Sequence, residues 1–277
     1  MKQLFTKILS IFSILTNQTI LRKPDFSEKK IFLQAKINEQ NNLNKKKIYD
    51  FRDVEFSAFS QFGEDGIISW LSHQIPDIKK VFLEIGTQDY WESNTRFLLK
   101  SKNWKGYLIE ASEKDVGKIK SQKIYWQHNV KAIHAFANAE NINEIIKKNI
   151  EEKEIGLLSI DIDGNDYWII EKINNLSPKI IVCEFNSVFG DLFNISVPYE
   201  DNFNRSKKHY SNLYFGASIN ALISLLKNKG YFFLGTSSFG VNAFFVKNEF
   251  QSHFENIIKE NKIFPSQSRE SLDYKGK

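Results

Sequence analysis

Acidic and amide side chains cluster where two apolar runs end, and this cluster is the part of the sequence best suited to chemistry. Asp161 and Asp163 lie at the end of one run, and Asp166 follows shortly after. Glu184 and Asn186 lie at the end of the next run. Carboxylates this close together need a cation or hydrogen-bond donors between them, and their oxygens suit a hard cation such as Mg²⁺. We therefore predict a metal or substrate site formed by Asp161, Asp163, Glu184 and Asn186.

A structural role competes with this interpretation for one of the acidic residues. Asp163 or Asn165 could cap a helix that begins at Asp166, because such side chains accept hydrogen bonds from the free amides of a first helical turn. The sequence leaves both capping and metal or substrate binding open for Asp163. It favours a functional role for Asp161 and Glu184.

Gly86 and Glu110 have the spacing of a nucleotide-type cofactor site. Gly86 ends an apolar run, where a glycine lets the backbone turn tightly and approach a ligand closely. Glu110 ends the next run, where an acidic side chain can accept both hydroxyls of a ribose. Each feature alone is common, and Glu110 alone could be a solvated charge. Together they predict a cofactor that contains adenosine.

The segment 187–215 shows no clear helix or strand pattern. Loops of this length in compact domains usually form a lid or a substrate site. The segment contains His209, whose charge changes near neutral pH, so His209 is a candidate general base. The alternative is a structural or solvated histidine without a catalytic role.

The elements that must position these residues alternate between apolar strands and amphipathic helices. Continuously apolar strands predict a parallel sheet covered on both faces, whose ligands bind beyond the carboxyl ends of the strands. The last two apolar runs have hairpin spacing, so the sheet should end with an antiparallel strand. The predicted strands are 81–85, 106–110, 130–136, 155–161, 179–185, 231–235 and 242–247, and the predicted helices lie near 94–102, 112–120, 141–152, 165–175 and 216–229.

Positive charge is concentrated at the start of the chain. Residues 1–50 hold ten Lys or Arg against four Asp or Glu, a local net charge of +6, so the rest of the chain carries about −1 of the total of +5. Binding to a phosphate backbone needs a concentrated cationic face. We therefore expect no nucleic-acid partner.

The lone Cys183 lies in an apolar run and is expected to be a buried, unreactive thiol.

Residues 1–21 have the pattern of an amphipathic helix. The stretch is too short, and too interrupted by Lys7, to span a membrane. One interpretation packs it on the core or on a second subunit, which makes the chain a candidate homodimer. The other gives residues 1–23 a weak contact with a membrane surface. The expected location is cytoplasmic, with peripheral contact to the inner membrane as the alternative.

Five segments resemble those of FkbM-like methyltransferases, a family of class I enzymes that use S-adenosylmethionine. A sixth, 214–218 (YFGAS), resembles a bacterial branch of that family. The five are 60–66 (SQFGEDG), 82–86 (FLEIG), 93–99 (SNTRFLL), 157–168 (LLSIDIDGNDYW) and 241–246 (VNAFFV). The resemblance covers about residues 56–248. It implies an α/β fold with a Rossmann-like, doubly wound sheet of seven strands, the last of them antiparallel.

The resemblance also implies roles for single residues. Glu84 and Gly86 would lie at the methionine end of the cofactor and Glu110 at its ribose. Asp161 would face the methyl group. The implied cofactor-binding set further includes Gln61, Thr87, Asn94, Ala111 and Asn138.

Mg²⁺ is a candidate second cofactor on the same grounds. Related sugar O-methyltransferases hold Mg²⁺ through acidic residues at the fourth and fifth strand ends, which correspond to Asp161, Glu184 and Asn186.

One departure from the family concerns the cofactor loop, which continues after Gly86 with bulky Tyr90 and Trp91 where further glycines are usual. The predicted organisation is an amphipathic helix at 1–21, a basic linker or arm at 22–55, a methyltransferase domain at 56–250, and a C-terminal helix and polar tail at 251–277.

The function that the sequence favours is methyl transfer from S-adenosylmethionine to a hydroxyl of a sugar, a glycan or another small polar acceptor. His209 or Asp161 would act as the base, or Mg²⁺ would lower the pKa of the hydroxyl. A nicotinamide-dependent oxidoreductase would need a glycine-rich pyrophosphate turn, which 86–89 does not offer. A degenerate methyltransferase fold that acts as a binding or scaffold protein is the third interpretation, and the glycine-poor loop favours it.

Overall fold

Seven strands form one mixed sheet. They are β1 (Val81–Ile85), β2 (Lys105–Glu110), β3 (Val130–His134), β4 (Glu154–Ile160), β5 (Ser177–Glu184), β6 (Tyr231–Thr236) and β7 (Asn242–Lys247). Their spatial order is β3-β2-β1-β4-β5-β7-β6. The structure is a computed structural model that describes residues 26–267 together with 271, 273 and 275.

The pairing confirms the predicted topology. Strands β1 to β5 run parallel to their neighbours. Strand β7 runs antiparallel to both β5 and β6, so the last strand of the chain is inserted between them. The strand order reverses between β1 and β4, which lie side by side. A crevice is therefore expected beyond their carboxyl ends, where ligands of such sheets bind.

Ten helices accompany the sheet within the described residues. In chain order they are α1 (Phe26–Leu43), α2 (Glu64–Gln74), α3 (Arg96–Lys102), α4 (Glu113–Ser121), α5 (Lys123–Gln127), α6 (Ile142–Asn149), α7 (Asp166–Lys172), α8 (Arg205–Lys208), α9 (Ile219–Asn228) and α10 (Gln251–Ile257). Short 3₁₀ turns occupy Phe51–Asp53, Ser187–Phe189 and Asn248–Phe250. Side-chain caps begin several helices; Ser218, for example, accepts a hydrogen bond from the Ala221 amide at the start of α9.

Successive side chains along each strand point to opposite faces of the sheet and form two hydrophobic cores, one on each face. Phe82 and Leu157 belong to one core, whereas their neighbours Leu83 and Leu158 belong to the other. Both faces are therefore covered, as the continuously apolar strands predicted. Cys183 is fully buried in the second core, which confirms its predicted burial.

Within the segment 22–55, predicted as a basic linker or arm, residues 26–43 form helix α1, which lies against α2 and α3. Part of its inward face is apolar, because Phe32 packs against the rings of Phe59 and Phe97. The buried polar side chains of Glu39 and Asn42 follow, while Leu33 and Ile37 on the outer face are more than half exposed. Glu39 accepts hydrogen bonds from Lys36 (2.5 Å) and from Ser69 on α2 (2.7 Å), and Lys102 on α3 lies 3.1 Å from it. The helix is therefore held by ion pairs and hydrogen bonds as well as by aromatic packing, and the polar contacts leave no apolar pattern in the sequence.

The predicted amphipathic helix at 1–21 lies outside the described residues. Within the part of the chain that the structure describes, no helix combines the length and apolar character needed to cross a membrane.

Candidate active site

A cavity of about 700 Å³ opens beyond the carboxyl ends of β1, β2, β4 and β5. This size is usual for a small-molecule or cofactor site. The loop before α2, the ends of the strands, and the segment 187–215 supply its walls. The lining residues that bear on the chemistry are Gln61, Phe62, Gly86, Gln88, Glu110, Ala111, Asp161, Asp163, Glu184, Asn186, Phe203, Arg205 and Phe215.

Gly86 begins the cofactor loop with a left-handed backbone, φ +85°. A Cβ at this position would lie 1.7 Å from the carbonyl oxygen of Asp161, so a side chain does not fit there. Two later residues of the loop, Gln88 and Tyr90, also have positive φ (+47° and +65°) although neither is glycine. The loop therefore has a left-handed backbone at two non-glycine residues, at a cost in backbone strain.

Glu110 is held rigidly at the end of β2. Its Oε2 accepts a hydrogen bond from the Gln88 amide and its Oε1 accepts one from the Ser112 amide, both at 2.7 Å. Each carboxylate oxygen has a second lone pair, so Glu110 keeps acceptor capacity toward the cavity that it lines. This placement suits the predicted contact with two ribose hydroxyls.

Four described residues of the predicted cofactor set lie outside the cavity wall. Glu84 is buried behind the loop, where it accepts hydrogen bonds from the Ser93 hydroxyl (2.7 Å), the Asn94 amide (3.0 Å) and the Thr95 hydroxyl. Burial raises the pKa of Glu84. Its position is that of a support for the turn into α3. Thr87 is buried, the Asn94 side chain bonds Ser159, and Asn138 caps its own turn.

The structure brings together three carboxylates of the predicted metal site. Oxygen atoms of Asp161, Asp163 and Glu184 all lie within 4.8 Å of one another. Glu184 is 9% exposed, and its Oε2 has no hydrogen-bond partner among the described residues. Burial, together with the neighbouring carboxylates, raises the pKa of both Asp161 and Glu184. This unpaired buried oxygen can receive a cation or a hydroxyl donor.

Arg205, from the segment 187–215, closes one side of the carboxylate cluster. Its Nη1 bonds the Asp163 carboxylate, its Nε donates to the Asn212 carbonyl at 2.6 Å, and its guanidinium lies 3.8 Å from the centre of the Phe215 ring. One of the three carboxylates is thus already neutralised by a side chain of the protein. No pattern in the sequence distinguished Arg205 from the other basic residues of its segment.

The capping alternative for Asp163 is wrong. Asp166 instead organises the turn before α7, because its two carboxylate oxygens accept the amides of Ile162 (2.9 Å) and Gly164 (3.0 Å). Burial raises the pKa of Asp166 to about 6, against the effect of these hydrogen bonds. The Asn165 side chain donates to the Glu200 carbonyl at 2.7 Å and makes no cap hydrogen bond.

The Asn186 side chain holds the backbone of the segment 187–215. Its Nδ2 donates to the carbonyls of Leu213 and Phe215, both at 2.9 Å, and its Oδ1 accepts the Val188 amide at 3.1 Å. The side chain is buried and its groups are used to hold the backbone of the segment 187–215. It therefore fixes the wall beside the carboxylates.

His209 is not brought to the cavity. The side chain is exposed, its Nδ1 lies 2.7 Å from the Ser211 hydroxyl, and its ring packs on Tyr210. In this arrangement Asp161 is the predicted base that lines the cavity, and His209 lies outside it.

The loop 58–63 forms part of the wall opposite the sheet. Asp65 holds it, because one carboxylate oxygen accepts the amides of Ala58, Phe59 and Ser60 at 2.7 to 2.9 Å. Phe62 stacks on Phe239 with ring centres 4.6 Å apart. Both acidic residues of the segment 60–66, Glu64 and Asp65, lie in the first turn of α2.

The strand order and the single antiparallel strand are those of the class I methyltransferase fold. No family model and no curated protein sequence matches the chain. Solved structures to which it is similar include a putative caffeoyl-CoA O-methyltransferase from Staphylococcus aureus (TM-score 0.46, 16% identity, 85% of this chain and 98% of that one). Another is an O-methyltransferase from Bacillus cereus in complex with SAH (TM-score 0.44, 16%, 85% and 97%). A third is a SAM-dependent methyltransferase from Aquifex aeolicus (TM-score 0.39, 11%, 67% and 89%).

Proposed function

We propose that this chain is an S-adenosylmethionine-dependent methyltransferase that methylates a hydroxyl of a sugar, a glycan or another small polar acceptor. One observation carries the proposal: Glu110 and the carboxylates of Asp161 and Glu184 line the same cavity. Glu110, which can accept hydrogen bonds from ribose hydroxyls, and Asp161, which can take a proton, therefore lie in the same cavity. Gly86 lies between them, where the backbone can approach the cofactor closely.

The chemistry asks little of the protein beyond alignment, because the methyl group of a sulfonium is already activated. Asp161 would accept the hydrogen bond of the attacking hydroxyl and take its proton. The raised pKa that burial gives Asp161 makes it a stronger base than an exposed carboxylate. Glu184 would accept a hydrogen bond from a second hydroxyl of the substrate. We therefore propose a methyl acceptor with neighbouring hydroxyls. Phe203 and Phe215 supply apolar walls on the same side.

Mg²⁺ fits part of this site. Three converging carboxylates and the unpaired buried oxygen of Glu184 suit a hard cation. Asp161 and Glu184 would hold the ion, and Asp163 would join them after release from Arg205. When bound, the ion would lower the pKa of the acceptor hydroxyl. Asn186 would join them only through its Oδ1, which already accepts the Val188 amide and keeps one further lone pair.

A catalytically degenerate binding protein is the second candidate. The observation that favours it is the pair of non-glycine residues, Gln88 and Tyr90, with left-handed backbone in the cofactor loop. Such a protein would keep the fold and would not bind S-adenosylmethionine.

We also propose a cytoplasmic location, formation of a homodimer, and a weak membrane contact through residues 1–23.

Calorimetric titration with S-adenosylhomocysteine tests the proposal. We expect binding by the wild-type protein and a loss of about tenfold or more in Glu110→Ala, because two hydroxyl contacts would be lost. Glu113→Ala removes an exposed carboxylate from the first residue of α4 and is the matched control. Absence of binding to the wild type would exclude the function. Equal binding by Glu110→Ala would remove only the ribose assignment.

A second experiment separates binding from transfer. Asp161→Asn should still bind S-adenosylhomocysteine but should lose transfer of labelled methyl groups to a panel of glycan acceptors. Loss of both properties together would instead give Asp161 a structural role.

A further inference from the structure

We propose that Arg96 is a positioning residue that holds the cofactor loop 86–91 in its left-handed shape from behind. The inference rests on the proposed function, because this loop is where S-adenosylmethionine would bind. It also explains how the loop keeps its path with Gln88 and Tyr90 in place of glycines. Residues with left-handed backbone persist only where their surroundings fix them.

Arg96 bonds the loop backbone directly. The side chain is buried, and its Nη1 donates to the Tyr90 carbonyl at 2.7 Å and to the Gln122 side-chain oxygen at 2.9 Å. Gln122 in turn donates its Nε2 to the Asp89 carbonyl at 2.6 Å. The two adjacent carbonyls of Asp89 and Tyr90 are thus held by one hydrogen-bonded pair of side chains, Arg96 and Gln122.

Aromatic rings and one acidic residue surround the guanidinium. Its centre lies 4.6 Å from the Trp91 ring, 5.2 Å from the Phe59 ring and 5.7 Å from the Tyr90 ring. Its Nη2 lies 3.6 Å from the Glu28 carboxylate on α1. The bulky Tyr90 and Trp91, which occupy the place of glycines in the sequence, therefore form part of the cation's surroundings.

The effect of Arg96 reaches the cavity through the backbone of the loop. Gln88, next to Asp89, lines the cavity, and its amide donates to the Glu110 Oε2 at 2.7 Å. If Asp89 and Tyr90 are released, Gln88 loses its fixed direction and Glu110 loses one of its two backbone donors. Arg96 thus acts on the proposed ribose site through the loop, without touching the cofactor.

The test variant is Arg96→Lys, which keeps the positive charge but is shorter. Its ammonium falls short of the position of Nη1, the atom that donates to both Tyr90 and Gln122. We expect S-adenosylhomocysteine affinity to fall about tenfold in Arg96→Lys and about threefold or more in Gln122→Ala, at temperatures where both remain folded. Lys100→Ala is the control, because Lys100 also pairs with Glu28 but lies away from the loop carbonyls. It should leave the affinity unchanged.

Two readouts distinguish positioning from a merely structural role. In a Glu110→Ala background the loss caused by Arg96→Lys should shrink to about twofold or less, because Arg96 acts through Glu110. Hydrogen exchange of the amides of residues 88–91 in the ligand-free protein should accelerate in Arg96→Lys and not in Lys100→Ala. Undiminished loss in the double variant, or unchanged exchange at 88–91, would overturn the inference. If the wild type fails to bind S-adenosylhomocysteine, the proposed function is refuted. The role of Arg96 in holding the loop is still tested in that case, because hydrogen exchange is measured without ligand.

Discussion

Gly86 packs against the backbone of Asp161, so closely that a Cβ on Gly86 would lie 1.7 Å from the Asp161 carbonyl oxygen. The contact joins the end of β1 to the end of β4. It gives the cofactor loop and the proposed base one shared wall. The glycine is therefore required by its neighbour as well as by its positive φ.

Gly86→Ala should destabilise the fold and weaken cofactor binding. The left-handed backbone and the overlap with Asp161 together are expected to cost about 2–5 kcal/mol. Gly117→Ala is the matched control, because Gly117 lies in α4 and a Cβ there meets nothing within 4 Å. It should stabilise the protein by about 0.5–1 kcal/mol. Urea unfolding measures both, and similar changes for the two variants would contradict the packing argument.

Asp65 should make stability depend on pH. Burial raises its pKa to about 7 from an ordinary value of 3.8, although the amides of residues 58–60 oppose the shift. The folded protein therefore keeps a proton on Asp65 that the unfolded chain releases. The stabilising contribution is complete below about pH 4 and is lost as pH rises through about 7.

Asp65→Asn keeps an oxygen acceptor and cannot ionise, so it should flatten this dependence. Between pH 5 and pH 7 we expect the wild type to lose about 2–3 kcal/mol relative to the variant. Urea unfolding at several pH values measures the two slopes. Other buried acids, such as Asp161 and Glu184, are present in both proteins and cancel in the comparison. Parallel curves would show that Asp65 is ionised in the folded protein throughout this range.

Removal of Arg205 should strengthen any binding of Mg²⁺ to the carboxylate cluster. Arg205→Met frees Asp163 from its ion pair and leaves three carboxylates within reach of one ion. We expect millimolar MgCl₂ to raise the melting temperature of this variant by about 2–4 °C more than that of the wild type. Lys208→Met, which removes a cation paired with Glu200, is the control. If Mg²⁺ leaves the melting temperature of all three proteins unchanged, the cluster does not bind Mg²⁺.

The sheet could be predicted because its strands are continuously apolar and its ligand site follows from strand order. Glu110, Asp161 and Glu184 were found for this reason, since each lies at the end of such a strand. The same reasoning could not separate residues that face the cavity from those behind it. Glu84 lies at a strand end as well, yet its oxygens point into a buried turn.

Helix α1 and the segment 187–215 escaped prediction for a different reason. Both depend in part on polar contacts with residues far along the chain, and such contacts leave no periodic pattern. Glu39 is buried because Ser69 and Lys102 meet it, and the path of 187–215 depends on hydrogen bonds from Asn186 to two of its carbonyls. The exposed position of His209 follows from that path.

Ile48 pairs with Ile258, which lies almost at the other end of the described chain. The Ile48 amide donates to the Ile257 carbonyl at 2.8 Å, and the Lys259 amide donates to the Ile48 carbonyl at 3.1 Å. During translation, the amide and carbonyl of Ile48 can therefore form these hydrogen bonds only after the ribosome has added residue 259. At ordinary elongation speeds the delay is roughly 10–40 s. Until then the Ile48 amide and carbonyl have only water as a partner, so this contact between distant parts of the chain forms only after nearly all of the chain has been synthesised.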